Sequence, residues 1–182
     1  TRLPISSFRC RWNNKSNFHL YYIINKCLNL NLLWNILMDF QLRKLEYDDS
    51  HKGYLELLVQ YFTLDPLSNK YTINFKNYVS KLDNNKQIYV IETNETKIAG
   101  SITIFIEEKL IRNMGKVAHI EDLVVDKNIR GKGLGKLLVQ KCIEHAKEMN
   151  CYKIILNCNE NNMIFYENQG FQNKENQMAL YF

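Results

Sequence analysis

Two hydrophobic spacings alternate along the chain from residue 40 onwards. Apolar runs and apolar–polar alternation are typical of strands, whereas apolar residues three and four positions apart share one face of a helix. The predicted strands are residues 41–45, 87–92, 98–107, 117–126, 152–156 and 177–182. The predicted helices are residues 49–62, 72–82, 134–149 and 161–169. This succession predicts an α/β domain.

The predicted helices differ in how clearly they are marked. In 134–149 one apolar stripe consists of Leu134, Leu137, Leu138, Cys142 and Ala146. In the first two helices the apolar faces are Leu55, Leu58 and Phe62, then Phe75, Val79 and Leu82. Gly170 is the predicted cap that ends the last helix. Residues 152–156 are predicted to be a short buried strand, and 94–95 a turn.

Residues 1–37 differ from the rest and are predicted to be an N-terminal extension of unknown role before a domain at 38–182. Basic residues followed by the apolar stretch 18–37 suggest a targeting or membrane segment. However, polar residues interrupt every run before the roughly 18–20 apolar residues that a spanning helix needs. An amphipathic helix packed on the domain or on a partner is therefore favoured. A further hypothesis is that Met38 is the true start.

Charge and cysteine content restrict the function classes. Residues 1–38 contain five of the 24 basic residues and none of the 19 acidic ones, so the rest of the chain holds 19 of each sign. Such a balance argues against a broad nucleic-acid footprint, though not against small anions. The five cysteines form no CxxC pair, and the four histidines show no metal-ligand spacing. We expect reduced thiols, a cytoplasmic protein and no metal.

A short basic loop with three glycines carries the most specific chemistry. It follows the strand 117–126 and leads directly into the helix at Leu134. Glycines allow a ligand close to the backbone, and the first turn of a helix offers free N–H groups. The loop contains neither a Walker A pattern nor the Gly-x-Gly-x-x-Gly dinucleotide fingerprint. Its predicted ligand is a phosphate or pyrophosphate.

Arg130-Gly131-Lys132-Gly133-Leu134-Gly135 resembles the acyl-CoA pyrophosphate loop of the GNAT superfamily of N-acetyltransferases. Segments 107–112, 115–122, 151–156 and 161–171 are together similar to the glucosamine 6-phosphate N-acetyltransferases of that superfamily, over about residues 38–182. The resemblance implies a mixed central sheet flanked by helices. It also implies a homodimeric enzyme that uses acetyl-CoA to acetylate D-glucosamine 6-phosphate for UDP-N-acetylglucosamine biosynthesis.

The resemblance also assigns a coenzyme site. The implied residues are Leu123, Val124, Val125, Arg130, Gly131, Lys132, Gly133, Leu134, Gly135, Lys136, Asn162, Phe165 and Tyr166. A backbone N–H near Leu123 would face the acetyl oxygen. Tyr166 would be the general acid that protonates the departing thiolate. The alternative for Tyr166 is an aromatic residue of the core.

The sugar phosphate would contact a second set of residues. Glu121 and Asp122 lie in an otherwise apolar strand, where acids are costly to bury without partners. The resemblance implies that they bind the sugar hydroxyls and amine; the alternative is one solvated acid and one structural salt bridge. His119 receives no role. The complete implied substrate set is Thr63, Lys109, Leu110, Ile111, Arg112, Glu121, Asp122, Tyr152, Lys153 and Asn157.

Two positions depart from the family pattern. Asn157 replaces an acidic residue, and an amide cannot act as a base at neutral pH. Tyr181 stands where the family has an arginine that reaches the substrate phosphate. Two alternative functions therefore remain: an acetyltransferase of the same fold acting on a protein N-terminus or a polyamine, and a non-catalytic acyl-CoA-binding module.

Overall fold

Five strands form one mixed sheet whose spatial order follows the chain. A computed structural model describes residues 39–62 and 69–181, without the side chains of 69–73. The strands are β1 (Phe40–Lys44), β2 (Lys86–Thr93), β3 (Ile98–Glu108), β4 (Lys116–Val125) and β5 (Cys151–Leu156). Neighbours from β1 to β4 are antiparallel, whereas β4 and β5 are parallel. The predicted fold class, a mixed sheet with flanking helices, is confirmed.

Among the described residues, four α-helices, one distorted four-residue helical segment (Ile111–Met114) and three short 3₁₀ segments accompany the sheet. The helices are α1 (Tyr54–Val59), α2 (Asn69–Val79), α3 (Leu134–Glu148) and α4 (Met163–Glu167). The 3₁₀ segments are Tyr47–Lys52, Lys127–Ile129 and Glu160–Asn162. The prediction of one continuous helix over 49–62 is wrong. Gly53 has a left-handed φ of 82°, which glycine adopts without strain and which ends the first segment before α1 begins.

The helices cover both faces of the sheet. Val90 of β2 belongs to a cluster with Leu55 of α1 and Phe75 of α2. The preceding residue, Tyr89, donates a hydrogen bond to Nδ1 of His145 in α3 at 2.8 Å. Consecutive strand residues point to opposite faces, so α1 and α2 lie on one face and α3 on the other.

The predicted α3 stripe is largely confirmed. Leu134, Leu138, Cys142 and Ala146 are buried, and Leu137 is half-buried. A Cβ atom on Gly100 of β3 would lie 3.1 Å from Cδ1 of Leu138 and 3.3 Å from the Val124 carbonyl oxygen. The small residue therefore allows α3 to approach the centre of the sheet closely.

The carboxyl end of the chain differs from the prediction. Residues 177–181 form no strand, and Met178, Leu180 and Tyr181 are 95%, 78% and 90% exposed. The predicted burial of β5 is also wrong, because β5 is the last strand of the sheet among the described residues. Alternating apolar residues indicate a segment that can form a strand. The strand forms only if a sheet edge is available for that segment to pair with.

Some predictions fall on residues that the structure does not describe. The proposed roles of residues 1–37, the Met38 start, Thr63 and the last position of strand 177–182 lie outside the described residues. The boundary between 1–37 and 38–182 stays a prediction. Among the helices that are described, none combines the length and apolar character needed to cross a membrane.

Candidate functional site

The glycine loop lies between the end of β4 and the start of α3. Gly131 and Gly133 have φ values of 79° and 82°, in the left-handed region that favours glycine. Gly133 is the N-cap residue of α3 and contributes no side-chain hydrogen bond to the cap. Glycine has no side chain that could cap a helix, so Gly133 does not occupy the first N–H groups of this 15-residue helix. An anion site requires such uncapped N–H groups.

A tyrosine outside the predicted site residues anchors this loop. The Tyr61 hydroxyl donates to the Val125 carbonyl oxygen at 2.7 Å and accepts from Arg130 Nη2. The Arg130 guanidinium also lies 4.9 Å from the centre of the Tyr61 ring. Arg130 is therefore held beside the loop by α1's carboxyl-terminal extension. Tyr61 had no distinguishing signal in the sequence, because it lies far from the motif along the chain.

The parallel strands β4 and β5 separate beside the loop. Their pairing runs from Lys116–Cys151 to Ile120–Leu156, whereas β4 continues to Val125. Within β4, Val124 is buried in the core, and Leu123 and Val125 are half-buried. The stretch 121–125 thus lies past the last β5 partner, which leaves the β5 side of this backbone for an extended ligand.

The backbone of β4 is irregular at the predicted acidic pair. The pairing of β3 and β4 shifts register between Ser101 and Thr103, and Asp122 has a φ of 52°. Such a bulge bends the strand and redirects its side chains, so the alternation of a regular strand does not hold here. Glu121 is half-buried and Asp122 is exposed. In the described part of the chain neither carboxylate forms a salt bridge.

Burial and charge shift the pKa of Glu121. Burial is the largest cause and raises its pKa, the Asp122 carboxylate raises it further, and His119 acts in the opposite direction. A carboxyl group with a raised pKa holds its proton more readily than an exposed acid. Glu121 is therefore an acid whose ionisation depends on its neighbours.

Tyr166 of α4 is both a packed aromatic and a candidate proton donor. Its buried ring makes edge contacts with Phe165 and Phe171, at centroid distances of 4.9 and 5.9 Å. Burial raises the pKa of Tyr166 to about 12, and charges at Cys158 and Glu121 contribute in the same direction. The phenol therefore keeps its proton at neutral pH.

Close packing joins α4 to the start of α3. A Cβ atom on Gly135 would lie 3.4 Å from Cζ of Phe165, in contact with the ring. Asn162, at the N-cap of α4, and Lys136 of α3 flank this contact in the sequence, and Asn162 is exposed. The structure thus brings the glycine loop and the Phe165-Tyr166 pair together. Lys132 points elsewhere, 5.6 Å from the Phe40 ring centre.

The predicted sugar-phosphate residues cluster at the connection between β3 and β4 and along β5. The Arg112 guanidinium and Lys153 Nζ lie 5.8 and 6.0 Å from the Tyr152 ring centre. Lys109 instead forms an ion pair with Glu107. Asn157, directly after β5, is exposed, and Leu110 and Ile111 are 87% and 67% exposed.

The connection itself is strained. Arg112, Asn113 and Met114 have φ values of 59°, 55° and 60°, three consecutive non-glycine residues in the left-handed region. Gly115 follows them, and a Cβ atom there would lie 3.0 Å from both the Arg112 carbonyl oxygen and Tyr152 Cδ1. This role of Gly115 could not be predicted from the sequence, because the contact depends on β5.

A histidine without a predicted role lies in the same region. His119 Nε2 lies 2.9 Å from Glu107 Oε2, and its ring stacks on Phe105 with centroids 4.3 Å apart and an 11° interplanar angle. Phe105 and His119 are cross-strand partners in β3 and β4. Only the strand register reveals this arrangement, so neither strand alone could predict it. Among residues 39–62 and 69–181, no group of three His, Cys, Asp or Glu side chains forms a metal site.

Comparison with known proteins identifies similar chains. Residues 43–171 match the acetyltransferase (GNAT) family. The glucosamine 6-phosphate N-acetyltransferase of Arabidopsis thaliana is 42% identical over 144 residues, which cover 79% of this chain and 97% of that protein. The Candida albicans protein of the same name is 36% identical over 143 residues, 79% of this chain and 96% of its own length.

The structural comparison agrees with the sequence comparison. The crystal structure of glucosamine-6-phosphate N-acetyltransferase from Arabidopsis thaliana superimposes with a TM-score of 0.74, covering 79% of this chain and 98% of that one. GNAT acetyltransferases use acetyl-CoA as their co-substrate.

Proposed function

The chain belongs to the glucosamine 6-phosphate N-acetyltransferases of the GNAT family, and we propose that it transfers the acetyl group of acetyl-CoA to the amine of D-glucosamine 6-phosphate. The products are N-acetyl-D-glucosamine 6-phosphate and CoA, and the product supplies UDP-N-acetylglucosamine biosynthesis. The observation that carries this proposal is the separation of β4 from β5, with the glycine loop and Tyr166 beside it. An extended thioester fits this arrangement.

The coenzyme is bound through the backbone as well as through charge. The pyrophosphate accepts hydrogen bonds from the loop 130–135, including the Lys132 backbone, and from the first turn of α3, with further charge from Arg130 and Lys136. The pantetheine arm lies along Leu123, Val124 and Val125 beyond the last β5 pair. Asn162 and Phe165 line the other side of this groove.

The amine attacks the thioester directly. The neutral amine forms the C–N bond, and the oxygen of the tetrahedral intermediate accepts a hydrogen bond from the backbone N–H near Leu123. The nitrogen then loses one proton to solvent water, and the C–S bond breaks. Tyr166 donates its proton, or a hydrogen bond, to the sulfur that leaves. With a pKa raised to about 12, the phenol binds the thiolate more readily than it gives up its proton completely. Glu121 and Asp122 bind the amine and the hydroxyl groups of the sugar.

The phosphate of the sugar is bound by cations of the β3–β4 connection and β5. Arg112 and Lys153 flank the Tyr152 ring, and Lys109 lies just before them in the chain. Asn157 cannot accept the amine proton with its side chain, but its carbonyl group can orient the amine. Leu110 and Ile111 complete this set, as does Thr63. Because Tyr181 stands in place of the family's arginine, the cations named here bind the phosphate.

The enzyme is a homodimer in the cytoplasm. Exposed apolar side chains at Leu110, Ile111, Met178 and Leu180 support a second copy of the chain as the covering partner, as does the edge of β5, which no other strand of the described residues pairs with. The dimer would have twice the 21.7 kDa mass of the chain, which light scattering measures. Free thiols at three described cysteines support a reducing compartment.

Release of the coenzyme thiol tests the proposed reaction. The assay compares glucosamine 6-phosphate, glucosamine, a polyamine and peptides with free N-termini at equal concentrations. We expect the highest kcat/KM for glucosamine 6-phosphate and a large loss when the phosphate is absent. Preference for another amine would support the first alternative function. Calorimetric binding of CoA without turnover on any amine would support the non-catalytic one.

A further inference from the structure

The segment that follows α1 is tied to the end of β4 and to the glycine loop at three points. The Gln60 side chain accepts a hydrogen bond from the Lys127 backbone N–H at 3.2 Å. The Tyr61 hydroxyl group donates to the Val125 carbonyl oxygen at 2.7 Å, and it accepts from Nη2 of Arg130. These contacts join residues that are 64–69 positions apart in the chain.

The Tyr61 ring holds two cations. The Arg130 guanidinium lies 4.9 Å from the ring centre, and Lys127 Nζ lies 5.4 Å from it. Within the described part of the chain neither cation forms an ion pair. The Asp126 carboxylate instead accepts from the Asn128 backbone N–H at 2.9 Å. Like charges beside one ring repel each other, so the arrangement favours a negatively charged ligand that neutralises both.

The same contacts orient Arg130 without using all of its donors. Its Nε atom lies 3.4 Å from the Val125 carbonyl oxygen, and Nη2 donates to Tyr61. A guanidinium has five N–H groups, and the two on Nη1 have no partner among the described residues. Fixing an exposed arginine costs conformational entropy, so the contact gains little unless the fixed position is used. The guanidinium thus presents free donors to a phosphate group.

We propose that Tyr61 is a positioning residue for the coenzyme, which holds Arg130 and Lys127 so that their charges meet the pyrophosphate at the loop 130–135. The inference rests on the coenzyme site of the proposed function. The hydroxyl group fixes the guanidinium, and the ring supports both cations. Tyr61 acts through these two side chains and not on the reacting atoms.

Calorimetric titration with CoA tests the proposal without any amine. Tyr61→Phe keeps the ring but removes both hydrogen bonds of the hydroxyl group, and Tyr61→Leu removes the ring as well. We expect the Kd of CoA to rise about threefold to tenfold in Tyr61→Phe and further in Tyr61→Leu. Tyr78→Phe is the matched control, since the Tyr78 ring also lies beside a lysine, but that is Lys86 of β2, with Nζ 5.0 Å from the ring centre. Its Kd should equal the wild-type value.

Steady-state kinetics with two acetyl donors separate positioning from a general loss of structure. S-acetylpantetheine has the thioester and the arm of acetyl-CoA but no pyrophosphate. With glucosamine 6-phosphate as acceptor, Tyr61→Phe should raise KM for acetyl-CoA as much as the Kd of CoA and leave kcat unchanged. Its kcat/KM for S-acetylpantetheine should match that of the wild type. An equal loss with both donors would show a structural role and overturn the proposal.

A double-variant cycle on the Kd of CoA makes the result independent of turnover. Arg130→Gln removes the guanidinium, so in that background Tyr61→Phe should change the Kd by less than about twofold. Independent effects of the two variants would overturn the proposal, as would a Kd for Tyr61→Phe equal to the wild-type Kd. Absence of CoA binding by the wild type would overturn the proposed function and this inference together. CoA binding without turnover on glucosamine 6-phosphate would overturn the proposed function alone.

Discussion

The two ends of the candidate site are built in opposite ways. At the coenzyme end, defined here as residues 123–136 with α4, the left-handed backbone positions are glycines, Gly131 and Gly133. At the sugar-phosphate end, defined as residues 109–115 with Tyr152 and Lys153, the left-handed positions are Arg112, Asn113 and Met114. The same conformation is unstrained in the first region and costs energy in the second.

The two ends also differ in how deeply their side chains are buried. Tyr166 is buried and Gly135 contacts Phe165, so the coenzyme end is packed within one chain. At the other end Leu110 is 87% exposed and Ile111 is 67% exposed. The comparison teaches that the reaction common to the family depends on a preorganised backbone. The end that we propose for the sugar phosphate is instead a strained connection with exposed apolar side chains.

The largest expected effect tests the coenzyme end. Tyr166→Phe keeps the ring, and therefore its contacts with Phe165 and Phe171, but removes the proton donor. We expect kcat to fall by about 10²-fold or more, with little change in the Kd of acetyl-CoA. Because burial raises the pKa of Tyr166 to about 12, the wild-type phenol does not titrate near neutral pH. The loss should thus be the same from about pH 6 to 9.

Stopped-flow measurement of thiol release and calorimetry of coenzyme binding check this prediction together. If turnover is unchanged, Tyr166 is an aromatic residue of the core and not the acid. If only the Kd changes, the hydroxyl group belongs to coenzyme binding.

The second effect tests whether the two ends are independent. A Cβ atom on Gly115 meets a backbone oxygen and the Tyr152 ring at 3.0 Å, so Gly115→Ala must displace the strained connection. We expect a loss of about 1–3 kcal/mol in the free energy of unfolding and a higher KM for glucosamine 6-phosphate. KM for acetyl-CoA should stay unchanged, because the glycine loop is untouched.

Gly131→Ala is the matched variant at the coenzyme end. Nothing lies within 4 Å of its new Cβ atom, but φ is 79°, so the cost is conformational and about 1–2 kcal/mol. Steady-state kinetics should show the reverse pattern, a higher KM for acetyl-CoA alone. Equal effects on both substrates from either variant would contradict the independence of the two ends.

The sequence predicted the coenzyme end better than the sugar-phosphate end. Leu134 and Gly135 could be placed because a strand, a loop and a helix follow one another within twenty residues. His119 and Gly115 could not, since their contacts are with β3 and β5 and depend on register. The prediction of a strand at 177–182 was wrong, because alternating apolar residues do not show whether a sheet edge is available for pairing. The apolar spacing predicted one continuous helix over 49–62, whereas the left-handed Gly53 divides that stretch into two segments.

The smallest expected effect concerns the strain itself. Methionine tolerates the left-handed region poorly, so Met114→Gly removes about 1–2 kcal/mol of strain, while the added freedom of the unfolded chain opposes it by about 0.5–1 kcal/mol. We expect a gain of up to about 1 kcal/mol in the free energy of unfolding, measured in urea. Asn113→Gly is the control and should gain less, because asparagine adopts this conformation more readily. A loss of stability in Met114→Gly would show that the connection is not left-handed in solution, and the contrast between the two ends would then rest on burial alone.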